Sequence, residues 1–238
     1  MEKTLRSLRG DLRKFERPPK AKILQRFFKT GPGEYAEGDI FLGLKTDETR
    51  GVAKKYQDLS LPDLSQLLSS KIHEERVTAV MILNRRFSKA DLKEKKKIYR
   101  FYLDNILGIN NWDLVDGSAP TIVGGYLDVS GDSREVLYRF AVSKDLWERR
   151  IGMMATFFFI RKNQFEDALR ITERLLNDKE DLIHKAVGWM LREIGKKDFA
   201  TEERFLKKHY HQMPRTMLRY AIEKFSQEKR QAYLKGKT

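Results

Sequence analysis

The segment NNWDLVD, residues 110–116, sets Trp112 and Asp116 at i and i+4, so a helix there carries both side chains on one face. An indole face attracts cations, and a fixed carboxylate stabilises positive charge as it develops. Their setting runs the other way. The chain has 48 Lys and Arg against 34 Asp and Glu, a formal net charge of +14 and a pI near 9.8, which suits a polyanionic partner. Either the pair is packing, or it is a negative spot placed within a positive field.

Few other residues offer chemistry. Cysteine is absent, which removes disulfides, thiolate zinc sites and cysteine nucleophiles together and leans the compartment towards cytosol. Four histidines offer little: His209 and His211 stand two apart, hence on different helix faces, with no carboxylate cluster accompanying them, so no metal site is expected. TGPGE (30–34) lacks the Gly-Lys-Ser/Thr of a phosphate-binding loop, and no Ser or Lys sits in a nucleophile's setting. KADLKEKKK (89–97) reads as a solvated helix face. Trp147 has no catalytic company and is assigned to the core. Trp112 and Trp189 are kept as site candidates, with Asp116 and Arg150, because a core does not welcome charges so near.

The elements that must position them are helical almost throughout. Apolar periodicity predicts helices at 2–15 and 18–30, both basic, and at 72–88, 90–107, 111–127, 133–142, 145–161, 165–177, 180–195, 201–211 and 214–234. Thr46 reads as an N-cap, Ser60 with Pro62 and Asp63 opens a short helix, and Pro120 should break or kink the helix begun at Trp112. TGPGEYAEGD (30–39) is the one long turn-rich stretch, and no convincing strand is present. The longest apolar run, IGMMATFFFI (151–160), is too short to span a bilayer, and the N-terminus lacks the apolar core of a secretory signal. A soluble cytoplasmic, nucleoid-associated protein with no membrane contact is expected. Charge gathers at both ends: residues 1–30 carry ten Lys/Arg against three acids, residues 196–238 twelve against five, and the middle nets zero.

The chain also repeats. DLWERRIGMM (145–154) aligns with DLIHKAVGWM (181–190) at a spacing of 36, and a shift back by 34 places WDLVDGSA on LWERRIGM. Such spacing predicts an all-α, HEAT-like helical-repeat solenoid with a concave basic groove. It would be one domain over 1–238, with basic helices and a Gly-rich loop in 1–45 and the repeat array in 46–238. Asp116 and Arg150 fall at equivalent repeat positions and should face one groove, with Trp189 one repeat further on.

Together NNWDLVD, KDLWERR and IHKAVGWMLRE resemble the HEAT-like DNA-alkylation repair glycosylases of the AlkD type, most strongly over 105–195 and more loosely over the whole chain. The resemblance implies that Trp112 and Asp116 are the family's catalytic Trp and Asp, Arg150 its active-site Arg and Trp189 its second aromatic wall. GLKTDETR (43–50) matches a family segment, with Asp47 where Pro is common, and this marks Lys45, Thr46 and Arg50 for DNA. Phe27 stands where the best-known form has Tyr, and the loop that follows is longer. Arg149, Lys185 and Arg192 complete the expected DNA contacts.

The function implied is release of cationic N3- or N7-alkylated purines from duplex DNA by a monomer that needs neither cofactor nor metal. The alkylated base leaves as a neutral molecule, so the carboxylate would serve the oxocarbenium character on the sugar and position water. The indoles would hold the cationic nucleotide, and Arg150 would grip a flanking phosphate. A non-catalytic HEAT-like nucleic-acid-binding protein is the alternative. A helical scaffold for protein partners is a third class and predicts apolar residues in place of Arg and Asp.

Overall fold

The computed structural model describes residues 3–237, which divide into two compact units, the first ending at Ser118 and the second beginning at Ala119. The fold is all-α, built of successive packed helices in the manner of a helical repeat. The β pairing among the described residues is an isolated bridge between Ile40 and Ile72.

The first unit opens with α1 (Leu5–Arg13), capped by Thr4, whose hydroxyl accepts from the Ser7 N–H at 3.2 Å, and it buries Leu8 and Leu12 one turn apart. Helix α2 (Pro18–Phe27) starts on two prolines, whose missing N–H groups cost nothing at a helix start. The segment after it is irregular and is held from below. The buried Glu74 carboxylate accepts from the N–H groups of Leu42 (2.9 Å), Gly43 (2.8 Å) and Leu44 (3.2 Å). Gly43 has φ +88°, and a Cβ there would lie 2.5 Å from the Arg17 carbonyl oxygen, so position and conformation both demand glycine.

Helix α3 (Thr46–Lys55) corrects the expected cap: Lys45 is the N-cap and Thr46 the first helical residue. Glu48 explains the shift, because its carboxylate reaches back to the Lys45 N–H at 2.8 Å. The helices α4 (Leu61–Leu68), capped by Ser60 as expected, α5 (His73–Lys89) and α6 (Leu92–Asp104) follow, and α7 (Trp112–Ala119) carries the unit to its end.

The second unit begins at Ala119, the last residue of α7. A π-helical turn, Pro120–Gly124, replaces regular α-helix there, the interruption that a residue without an N–H imposes. Then come α8 (Gly125–Ser130), α9 (Glu135–Ala141), α10 (Leu146–Arg161), α11 (Glu166–Leu175), α12 (Asp181–Gly195), α13 (Phe199–His209), α14 (Arg215–Ala221) and α15 (Gln227–Leu234). The single helix expected over 214–234 is two: a 3-10 turn at Ile222–Lys224 and an extended Phe225 separate them, and Ser226 caps the second.

The aligned repeats contribute one shared device. Gly152 of α10 lies against the Leu137 oxygen, the Phe140 Cβ and the Ala141 nitrogen of α9. Gly188 of α12 lies against the Met217 oxygen, the Tyr220 Cβ and the Ala221 nitrogen of α14. The same i, i+3, i+4 triplet is met in both, on the preceding helix in one case and on a following helix in the other. The shared glycine therefore reports a close helix crossing, not an identical neighbour.

Candidate functional site

In the first unit the site is built where α7 begins. Asn111, fully buried, accepts the Trp112 N–H on its side-chain oxygen at 2.8 Å. The Trp112 indole lies flat on Phe28, with centroids 5.1 Å apart and planes within 7°. Phe28 in turn stacks on Phe41 at 4.9 Å, and Phe41 on the His73 ring at 4.5 Å. Phe27 meets Trp112 edge-on at 6.0 Å and is 62% exposed. A column of rings thus backs one face of the indole, and an exposed aromatic stands at its side.

A chain of charges runs along that column. His73, 2% exposed, turns Nε2 to Asp113 at 2.8 Å and Nδ1 to Asp39 at 3.2 Å, while Arg76 closes on the same Asp39 oxygen. Burial opposes the imidazolium, but the hydrogen bonds to Asp113 and Asp39 outweigh it and hold the His73 pKa above its usual value. Burial likewise pushes Asp39 up, and His73 and Arg76 more than reverse this, so Asp39 titrates below the usual carboxylate range.

Asp113 sits one residue off the line of Trp112 and Asp116, where the helix geometry turns it to a neighbouring helix. That helix presents His73, so Asp113 is an ion-paired residue. Sequence reasoning passed over His73 and Asp39. They lie 34 residues apart, and His73 lies 40 from Asp113, so no local spacing could have joined them.

Asp116 follows Trp112 by one turn of α7 and is half-buried. Burial pushes the Tyr102 phenol up, its 2.9 Å hydrogen bond with Ser118 opposes this, and the negative charge of Asp116 adds to the rise. Lys45, Thr46 and Arg50 are exposed in and just before the first turns of α3; Arg50 is bonded to Asp47.

In the second unit, Trp189 is half-buried on α12, tilted against Phe157 at 5.8 Å, and donates its indole N–H to Glu193 at 3.0 Å. The cations expected on DNA are largely engaged. Arg150 is 4% exposed, and its guanidinium donates to the Leu182 carbonyl. Arg149 spends its donors on Asp178 at 2.7 Å and on the carbonyls of Ser143 and Lys144 at 3.0 Å each. Lys185 pairs with Asp181 at 2.7 Å, and Arg192 pairs with Glu223. Trp147 is buried, as its lack of catalytic company suggested.

Among the described residues no group of three or more His, Cys, Asp or Glu is arranged to hold a metal ion, and no helix is long and apolar enough to cross a membrane.

Comparison with known proteins agrees with this architecture. The family described as DNA alkylation repair enzyme matches residues 8–225, so the chain belongs to that family. Among solved structures, a predicted DNA alkylation repair enzyme from Enterococcus faecalis is similar in fold, with TM-score 0.69 and 16% identity over 89% of this chain and 97% of that one. The crystal structure of smu.31 from Streptococcus mutans UA159 is also similar, with TM-score 0.52 and 19% identity over 76% of this chain and 92% of that one. No curated protein matches the chain.

Proposed function

We propose that this protein is a DNA glycosylase that releases cationic N3- or N7-alkylated purines from duplex DNA. The observation that carries the reading is α7: a half-buried indole backed by a ring column, with a carboxylate one turn further on, in a chain of the DNA alkylation repair enzyme family. The glycosidic C–N bond breaks with its electron pair going to the alkylated base, which departs neutral. Positive charge appears on the sugar, where Asp116 stabilises it, and water adds to the anomeric carbon and gives up a proton. Trp112 offers its free face to the cationic nucleotide, with Phe27 beside it. Asp116, Trp112 and Trp189 are the proposed catalytic set, with Arg150 acting from its place against the Leu182 carbonyl. Lys45, Thr46 and Arg50 are the proposed phosphate contacts of the first unit.

A nucleic-acid-binding protein without catalysis is the second reading, and the burial of Arg150 against the Leu182 carbonyl is the observation that favours it. One assay separates the two: release of free base from DNA containing N7-methylguanine or N3-methyladenine, without added metal. Asp116→Asn keeps the shape and loses the charge, so release is expected to fall by about 10²–10³ while DNA affinity holds. Asp104→Asn, an exposed acid at the end of α6, is the control and should match the parent. Full activity in Asp116→Asn would end the carboxylate mechanism. An unmodified chain that binds DNA and releases nothing would establish the second reading.

A further inference from the structure

Asp113, His73, Asp39 and Arg76 come from three different elements, α7, α5 and the segment after α2, and meet with all but the partly exposed Asp113 buried. Each imidazole nitrogen faces a carboxylate oxygen, at 2.8 Å and 3.2 Å. A carboxylate only accepts, so the two bonds exist together only when both nitrogens carry protons, that is, on the imidazolium. Arg76 also lies 3.3 Å from His73 Nδ1, so the neutral ring protonated at Nε2 keeps its bond to Asp113 and accepts from Arg76. Two anions and two cations balance, which is what burial of such a set requires.

The imidazolium reaches Trp112 by two routes. Asp113 follows Trp112 in the chain; one of its oxygens takes the Leu114 N–H at 2.8 Å and the other takes His73, which ties the first turn of α7 to α5. The ring of His73 also lies 5.0 Å from Phe28, the residue on which the indole is stacked.

We propose that His73 is a positioning residue for Trp112: the imidazolium, clamped between Asp39 and Asp113, sets the first turn of α7 and the ring column, and so fixes the indole against which the damaged nucleotide is held. The catalytic part of this rests on the glycosylase reading. The groups facing His73 are Asp113 from α7, Asp39 from the segment after α2 and Arg76 from its own helix; the rings of Phe28 and Phe41 do not titrate. Loss of the Nδ1 proton breaks the link to Asp39 and leaves a lone pair that accepts from Arg76, so the clamp on the ring changes partner.

The test is ¹⁹F NMR of the full chain labelled with 5-fluorotryptophan, with the Trp112 resonance assigned by its loss in Trp112→Phe. That resonance is expected to titrate at a pH above 6.5, the usual histidine value. His73→Gln and Asp113→Asn should displace it and abolish the titration. They should also remove the alkaline limb from the pH profile of base release and lower kcat by about ten- to a hundredfold, with KM for DNA little changed, the scale for misplacing a reacting group by up to about 1 Å. Asp113 is partly exposed, so its substitution keeps the test available if His73→Gln does not fold. A Trp112 resonance that coincides with the parent's at every pH in either folded variant overturns the proposal. So does parental base release from His73→Gln at every pH. If the parent's resonance titrates and responds to both variants but no base is ever released, the positioning stands and the glycosylase reading falls.

Discussion

Three glycines placed at different distances from their neighbours give an ordered set of stability changes on substitution by alanine. At Gly117, inside α7, an added Cβ meets nothing within 4 Å. At Gly152 it would lie 2.9 Å from the Leu137 oxygen and 3.0 Å from the Phe140 Cβ; at Gly188 it would lie 2.5 Å from the Tyr220 Cβ and closer still to the Met217 oxygen. Against ordinary contact near 3.5 Å, the shortfall is about 0.5 Å at Gly152 and about 1 Å at Gly188. In both places the obstacle includes helix backbone, so the helices themselves must separate. Relief of glycine's conformational cost favours alanine by roughly 0.5–1 kcal/mol at all three, and overpacking costs about 1–3 kcal/mol where room is lacking. Gly117→Ala should therefore stabilise by about 0.5–1 kcal/mol and Gly152→Ala should stay within about 1 kcal/mol of the parent. Gly188→Ala should lose about 1–2 kcal/mol, some 2–8 °C in the midpoint for a chain of this size. Thermal and urea unfolding followed by far-ultraviolet circular dichroism read all three. A Gly188→Ala protein as stable as Gly117→Ala would refute the close crossing of α12 and α14.

Glu202 on α13 is buried with one carboxylate oxygen unpartnered, and burial pushes its pKa from 4.5 up to about 8, with Arg192 opposing. A raised carboxyl pKa means stability that is whole below pH 4.5 and declines as pH rises through about 8, at most roughly 5 kcal/mol over that span. Glu202→Gln should flatten this decline and raise the unfolding free energy at pH 8 by roughly 1–2 kcal/mol; a stability equal to the parent's at pH 8 would contradict it. For DNA, affinity is expected to fall steeply with salt, and Lys45→Gln should reduce the slope of log affinity against log salt by about 0.9, the value of one phosphate contact. An unchanged slope would remove Lys45 from the interface.

Much of the fold was legible because helix patterning is local. Apolar residues every three or four positions, Ser60 ahead of Pro62, and Pro120 without its N–H act within a turn of themselves, and α4, α5 and the π-helical turn follow from them. The same locality placed Trp112 and Asp116 on one helix and Trp147 in the core. Where partners decide, sequence was a poorer guide. Thr46 lost the cap to Lys45 because the Glu48 carboxylate curls back, and the stretch 214–234 split at Phe225, whose buried ring packs on Phe199 and Tyr233. Net charge named the class of partner but not which cations are free to meet it: Arg149, Arg150 and Arg192 are basic in composition and already matched to protein acceptors in the fold. The clearest case is the group beneath Trp112. Asp39, His73 and Asp113 are three unremarkable residues in the sequence, each alone a solvated charge. Only the tertiary structure buries His73 and Asp39, shields Asp113 in part and brings the three within hydrogen-bond reach, and an ion pair's strength depends on that separation and desolvation, which no residue spacing encodes.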